Sequence, residues 1–215
     1  MPVIRTFISK VKPGRMQDAM TLFPTFNRLF RESGAAHFTA YSLLTGPYFP
    51  GFSMHGVFEN YAAYGTAREQ IMQNPEAVGA AFGADAPLEV VRALLQEPVH
   101  TTASDEAIGD ILAQTQVRFT LIVRPHRGRA SDVVQRASRL ADTIHQSGAL
   151  GASVQRVIAG TDGPRIWLHS FHTGFAEFEA TRNAVLESDV WTALSRSQDD
   201  SATRMQNALC TKIAI

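Results

Sequence analysis

"VIRTFISKVKPGRMQD" (residues 3–18) and "VRFTLIVRPHRGRASD" (residues 117–132) decide the fold. Each opens with apolar and β-branched residues at alternating positions, the period of a half-buried strand. Each then meets a Gly-Arg pair, Gly14-Arg15 or Gly128-Arg129, and enters a helical pattern with an early aspartate, Asp18 or Asp132. Strand, turn and helix thus occur twice, 114 positions apart.

The offset holds without a gap along both halves. "SGAA" (33–36) lies on "SGAL" (147–150), Gly46 on Gly160, His55 on His169 and Arg68 on Arg182. The chain therefore reads as a tandem duplication, with one repeat over 1–101, a linker over 102–115 and a second repeat over 116–215. Within each repeat the spacing predicts strands at 3–11 and 117–125. Helices follow at about 15–33 and 129–147, closed by Ser-Gly as a C-terminal stop. Pro24 falls inside the first of these helices and predicts a kink. Strand pairs come next, at 37–45 with 52–59 and at 151–159 with 165–173, joined by turns rich in Gly and Pro ("TGPYFPG", "GTDGP"). Second helices are expected at about 60–73 and 174–187, and last strands at about 93–100 and 207–214.

This order, β-α-β-β-α-β twice, is the ferredoxin-like unit. Such a unit has helices on one face of its sheet, and the other face must be covered. Two copies in one chain cover each other, so the predicted fold class is α+β, with two ferredoxin-like repeats forming an intrachain α+β barrel. The run "GFAEFEATRNAVLESDVWTAL" (174–194) carries aromatics at the spacing seen in monooxygenase-like proteins. In topology and in this run the chain resembles the dimeric α+β barrel superfamily. That superfamily includes antibiotic-biosynthesis-monooxygenase-like, EthD-like, stress-responsive and NIPSNAP-like proteins, and the haem-binding chlorite dismutase group. The resemblance implies a small-molecule pocket and oxygenation without flavin or metal.

Period-2 counting assigns the strand faces. Val117, Phe119, Leu121 and Val123 form an apolar row for the helices, as do Phe52, Met54, Phe58, Ile166 and Leu168. The opposite row, turned inward, holds Thr6, Tyr41, His55 and Gln96 from the first repeat. From the second it holds Arg118, Thr120, Gln155, Trp167, His169, Phe171 and Cys210. Convergent polar groups among apolar ones suit a small-molecule site. His55 and His169 are the candidate catalytic bases, since a neutral imidazole titrates near ~6.5. Trp167, Arg118, Thr120, Gln155, Phe171, Tyr41 and Thr6 are the candidate substrate contacts. Such a base would deprotonate a phenolic or enolic substrate, whose carbanion then meets dioxygen. Arg118 and Trp167 stand opposite Ile4 and Ser53, so the second repeat is the expected working site.

Two alternatives stay open: a ligand-binding or stress-associated barrel without turnover, and a haem-binding barrel with His169 as axial ligand. A zinc site is disfavoured. His169 and His172 are three apart on a strand and face opposite ways, and no inward Asp or Glu completes a ligand set. No cofactor is expected. Arg15 and Arg129 read as a shared turn or surface ion pair, Cys210 as a small buried hydrophobe.

Composition bounds the rest. The 215 residues are 45% hydrophobic and 19% charged with formal net charge +0, an ordinary globular balance. No basic stripe points to nucleic acid. No apolar run approaches the ~20 residues of a membrane helix, and the first residues lack the pattern of a signal peptide. One cysteine fits a reducing compartment. The expected protein is cytoplasmic, a monomer or homodimer, with a small-molecule ligand as partner.

Overall fold

The structure is a computed structural model that describes residues 1–104, 107–160, 163–196 and 201–215. The first half runs β1 (Val3–Val11), α1 (Met16–Thr21), α2 (Phe23–Glu32), β2 (His37–Leu43), β3 (Gly51–Phe58), α3 (Tyr61–Gln73), α4 (Pro75–Phe82) and β4 (Leu88–Thr101). After α5 (Ile108–Gln114) the second half runs β5 (Val117–Pro125), α6 (Ala130–Gln146), β6 (Gly151–Gly160), β7 (Ile166–His172), α7 (Phe175–Glu187), α8 (Asp189–Arg196) and β8 (Ala202–Lys212). The strands follow one another as β1-β3-β2-β8-β5-β7-β6-β4 in a closed barrel. The α+β class and the ferredoxin-like order in each half are as the sequence predicts.

By its internal contacts the chain divides into two compact units. The first is Met1–Glu97 with Ile158–Thr161 and Lys212–Ile215; the second is Pro98–Val157 with Asp162–Thr211. In the first, β1 is central, antiparallel to β3 and β4, and β2 pairs with β3. In the second, β5 is central between β7 and β8, and β6 pairs with β7.

One core sits between helices and sheet in each unit, as the alternation requires. Helix α2 buries Phe23, Phe26, Leu29 and Phe30 on one stripe, against Phe38, Ala40, Phe52, Met54 and Phe58 of the sheet. Each buried side chain of this size contributes about 1.5–3 kcal/mol. Helix α6 does the same with Val133, Leu140, Ala141 and Ile144 against Ala152, Val154, Ile166 and Leu168.

Local signals explain the element ends. Gly34 and Gly148 follow α2 and α6 with φ of 93° and 111°, and their N–H groups return to Arg31 O and His145 O. Asn60 caps α3, its side chain accepting from Ala63 N at 2.9 Å. Arg15 pairs with Asp18 and Arg129 with Asp132 across the first helical turn, which is the surface ion-pair reading of those arginines.

Two expectations need correction. The first helix is not one kinked rod: it breaks at Leu22 into α1 and α2, with Pro24 in the first turn of α2, where its missing N–H costs nothing. The second helix of the second half ends where expected, with α7 closing at Ser188, whose hydroxyl accepts from Trp191 N at 3.1 Å. The linker 102–115 contains α5. The last strands begin earlier than the apolar pattern suggests, at Leu88 and Ala202, because a register shift hides their alternation. In β4 it leaves Val91 unpaired between Val90, opposite Ser9, and Arg92, opposite Ile8. The shift in β5–β8 falls between Ile122 and Val123, 114 positions after Ile8 and Ser9. The turn 160–164 and the linker each include residues (161–162 and 105–106) outside the described ones.

Candidate functional site

The expected inward residues do share the face turned away from the helices. In the first unit Thr6 lies opposite His55 in the β1–β3 ladder, and Tyr41 opposite Ser53 in β2–β3. Thr6, Tyr41 and Gln96 are fully buried and His55 nearly so. The Thr6 hydroxyl has a single proton, and it goes to Gln96 Oε1 at 2.5 Å. Nδ1 of His55, 2.9 Å from Thr6 Oγ1, is then the donor. Its Nε2 accepts from the Ser53 hydroxyl at 2.7 Å. The edge of the Tyr41 ring closes the group, with centroids 6.0 Å apart.

The second unit repeats the frame with different chemistry. Thr120 Oγ1 lies 2.9 Å from Nδ1 of His169. Trp167 stands where Ser53 does, its ring 5.7 Å from the imidazole, and Phe171 lies 6.3 Å away on the other side. Cys210 stands where Gln96 does, with Arg118 Nη2 3.9 Å from its sulfur. Gln155 pairs with Trp167 across β6–β7. Complete burial, aided by the Arg118 charge, holds His169 well below the usual imidazole range, so it is neutral.

His172, on the face opposite His169, is equally buried but borders a cavity. It lies on the helix side of β7, in the wall of a cavity of about 440 Å³ between the sheet and α6, α7 and α8. Phe119, Phe178 and Trp191 supply much of that wall; Ser170, Thr181, Arg182 and Asn207 are polar points beside His172. Ser170 Oγ holds Nε2 of His172 at 2.9 Å. Nδ1 is buried and, among the described residues, has no hydrogen-bond partner; nor has Thr181 Oγ1. Burial pushes the His172 imidazole down to about 4, against an opposing pull from Glu177. A faint signal was present in "RIWLHSFH": the helix-facing row Ile166, Leu168 ends in Ser170 and His172, where the first half has Gly56 and Phe58.

The first unit has a cavity in the corresponding place, about 190 Å³, with Phe7, Phe30, Met54 and Phe58 in its wall. Among the described residues no cluster of three or more His, Cys, Asp or Glu side chains could hold a metal. No helix there is long and apolar enough to cross a membrane. His169, the expected haem ligand, lies on the face of β7 opposite the larger cavity, so that cavity and that imidazole do not combine into a haem site.

No protein-family model matches the chain, and no curated protein matches it. Solved structures do. An anthrone oxidase-like protein aligns over 100% of this chain and 91% of its own, at 11% identity and a TM-score of 0.67. A candidate monooxygenase of Fusobacterium nucleatum aligns over 99% and 93%, at 8% identity and 0.66. A chlorite dismutase from Candidatus Nitrospira defluvii aligns over 98% and 90%, at 8% identity and 0.56. At these identities the likeness is one of fold: the chain shares the α+β barrel architecture of monooxygenase-like and chlorite-dismutase-like proteins.

Proposed function

We propose that the chain is a monooxygenase-like enzyme that needs no cofactor and oxidises a phenolic or enolic substrate in the cavity of its second unit. The observation that carries this is the Nδ1 atom of His172, buried and, among the described residues, without a hydrogen-bond partner, on a side chain in the wall of a largely apolar cavity. Its Nε2 is held by Ser170, which fixes the ring and leaves Nδ1 as the nitrogen not engaged there. The fold likeness to an anthrone oxidase-like protein supports the choice of chemistry.

In this reading the aromatic body of the substrate packs among Phe119, Phe178 and Trp191. Nδ1 of His172 accepts the substrate proton, and the Arg182 guanidinium at the cavity wall favours the resulting oxyanion. Because His172 is a weak base, deprotonation is favourable only with that charge stabilisation. The carbanion form then gives electrons to dioxygen. A methylene becomes a carbonyl, one oxygen atom enters the product and the other leaves as water, with both electrons drawn from the substrate. His55 and His169, the expected bases, are here the anchored centres of the two inward faces.

Oxygen uptake with anthrones and polyphenols, without added flavin or metal, tests the proposal. We expect one dioxygen consumed per carbonyl formed. His172→Phe should lower kcat/KM about 10²–10⁴-fold, the usual worth of a general base. Uptake unchanged in His172→Phe would overturn the role of His172. Uptake lost in His169→Ala alone would move the chemistry to the inward face. Binding of these compounds without any uptake would make the protein a non-catalytic carrier.

A further inference from the structure

We infer that the first unit holds a separate binding site for a small amphipathic carboxylate, in the cavity where Arg5 and Arg68 meet the apolar wall of Phe7, Phe30, Met54 and Phe58. Two positive charges face this cavity, and none of its lining residues is acidic. Arg5 projects from β1 on the helix side of the sheet and Arg68 from α3. Among the described residues neither makes an ion pair or a side-chain hydrogen bond. The Arg5 guanidinium lies 4.6 Å above the Phe7 ring, half-buried, and so is held against the cavity wall rather than free in solvent. Burial lowers its affinity for its proton, Tyr64 of the same cavity opposes that shift, and the nearby Arg68 charge adds to it.

Arg5 is half-buried and Arg68 exposed beside it, and a partly desolvated guanidinium next to a like charge is costly unless an anion joins it. Carboxylate suits two guanidinium groups, because each oxygen accepts in the plane of a planar fork. The rest of the cavity asks for an apolar body. Its volume of about 190 Å³ slightly exceeds that of an engineered cavity of about 150 Å³ known to hold benzene, so one ring or a short chain fits. Met72 and Phe82 line it from α3 and α4 and stay half or more exposed, at 50% and 57%, an apolar rim through which such a body enters. The second unit cannot offer the same site. Phe119 replaces Arg5, so only Arg182 remains of the pair.

Isothermal titration of the full chain with octanoate, octanol and octylammonium tests the site at low ionic strength. Octanoate should bind one to one, octanol at least tenfold more weakly, and octylammonium not at all. Arg68→Gln, at an exposed position that leaves folding intact, should weaken octanoate at least tenfold and leave octanol unchanged; Arg5→Gln should do the same. His172→Phe should leave octanoate binding as it is, which separates this site from the one proposed in the second unit. In a methyl-labelled sample the Met54 resonance should shift on titration. Equal binding of octanoate and octanol, no effect of Arg68→Gln, loss of octanoate binding in His172→Phe, or no octanoate binding at millimolar concentration would each overturn the inference.

Discussion

The hydroxyl of Thr6 lies 2.9 Å from Nδ1 of His55 and passes its one proton to Gln96, whereas the Thr120 hydroxyl, also 2.9 Å from its histidine, has Cys210 in place of that glutamine. The same substitution should therefore cost different amounts in the two halves. Thr6→Val strips a partner from both His55 and Gln96, and Thr120→Val from His169 alone. Each orphaned buried polar group costs about 1–3 kcal/mol. Urea unfolding should show Thr6→Val to be the more destabilising by about one such increment. Equal losses would mean that the Gln96 contact contributes nothing.

His172 should make stability depend on pH. In the unfolded chain it titrates near ~6.5, and in the folded protein at about 4. Between these values the unfolded state binds more protons, so stability falls as pH falls from about 6.5 toward about 4 and levels off below. His169, shifted the same way, deepens the fall. The His172 share is on the order of 3 kcal/mol. His172→Phe, which copies Phe58 of the first half, should remove that share. Urea midpoints at pH 7.5 and pH 5 for both proteins are the measurement.

Gly56 and Phe30 should behave as a coupled pair. A Cβ on Gly56 would stand 2.6 Å from the Phe30 ring. Phe38, at 4.9 Å between centroids, limits the retreat of Phe30 on one side. Gly56→Ser should cost about 1–3 kcal/mol as overpacking. Phe30→Ile, matching Ile144 opposite Ser170 in the second half, should recover part of that cost. A double-mutant cycle with no coupling energy would contradict the contact.

Cys210 is fully buried. A thiol reagent should therefore label it only through opening of the structure, with labelling rates that rise with denaturant. Fast labelling in native buffer would place the sulfur at the surface.

The two faces of each sheet were legible because alternation survives wherever one side packs on a helix. Phe52, Met54 and Phe58 could face only α2, and this sent His55 to the other side. The helix breaks were less legible. Pro24 reads equally as a kink or a first-turn proline, and the choice depends on how Phe23 packs. The cavity beside His172 was hidden for a different reason. His172 ends an apolar row, and period alone cannot tell a histidine that closes a core from one that borders a void. Only the space left between β7, α7 and α8 decides that. The pair Arg5 and Arg68 was invisible for the same reason, since their positions in β1 and α3 are 63 residues apart in the chain.

The strand ends carry a consequence for how the chain is made. Ile213 belongs to the apolar cluster of the first unit, its N–H bonded to Ala40 O at 2.9 Å, while Val99 packs into the cluster of the second. Residues 212–215 thus finish a core begun near residue 19. During synthesis the first unit emerges early yet waits, incomplete, for a segment translated after the whole of the second. A chain truncated before residue 212 should stay protease-sensitive in its first half.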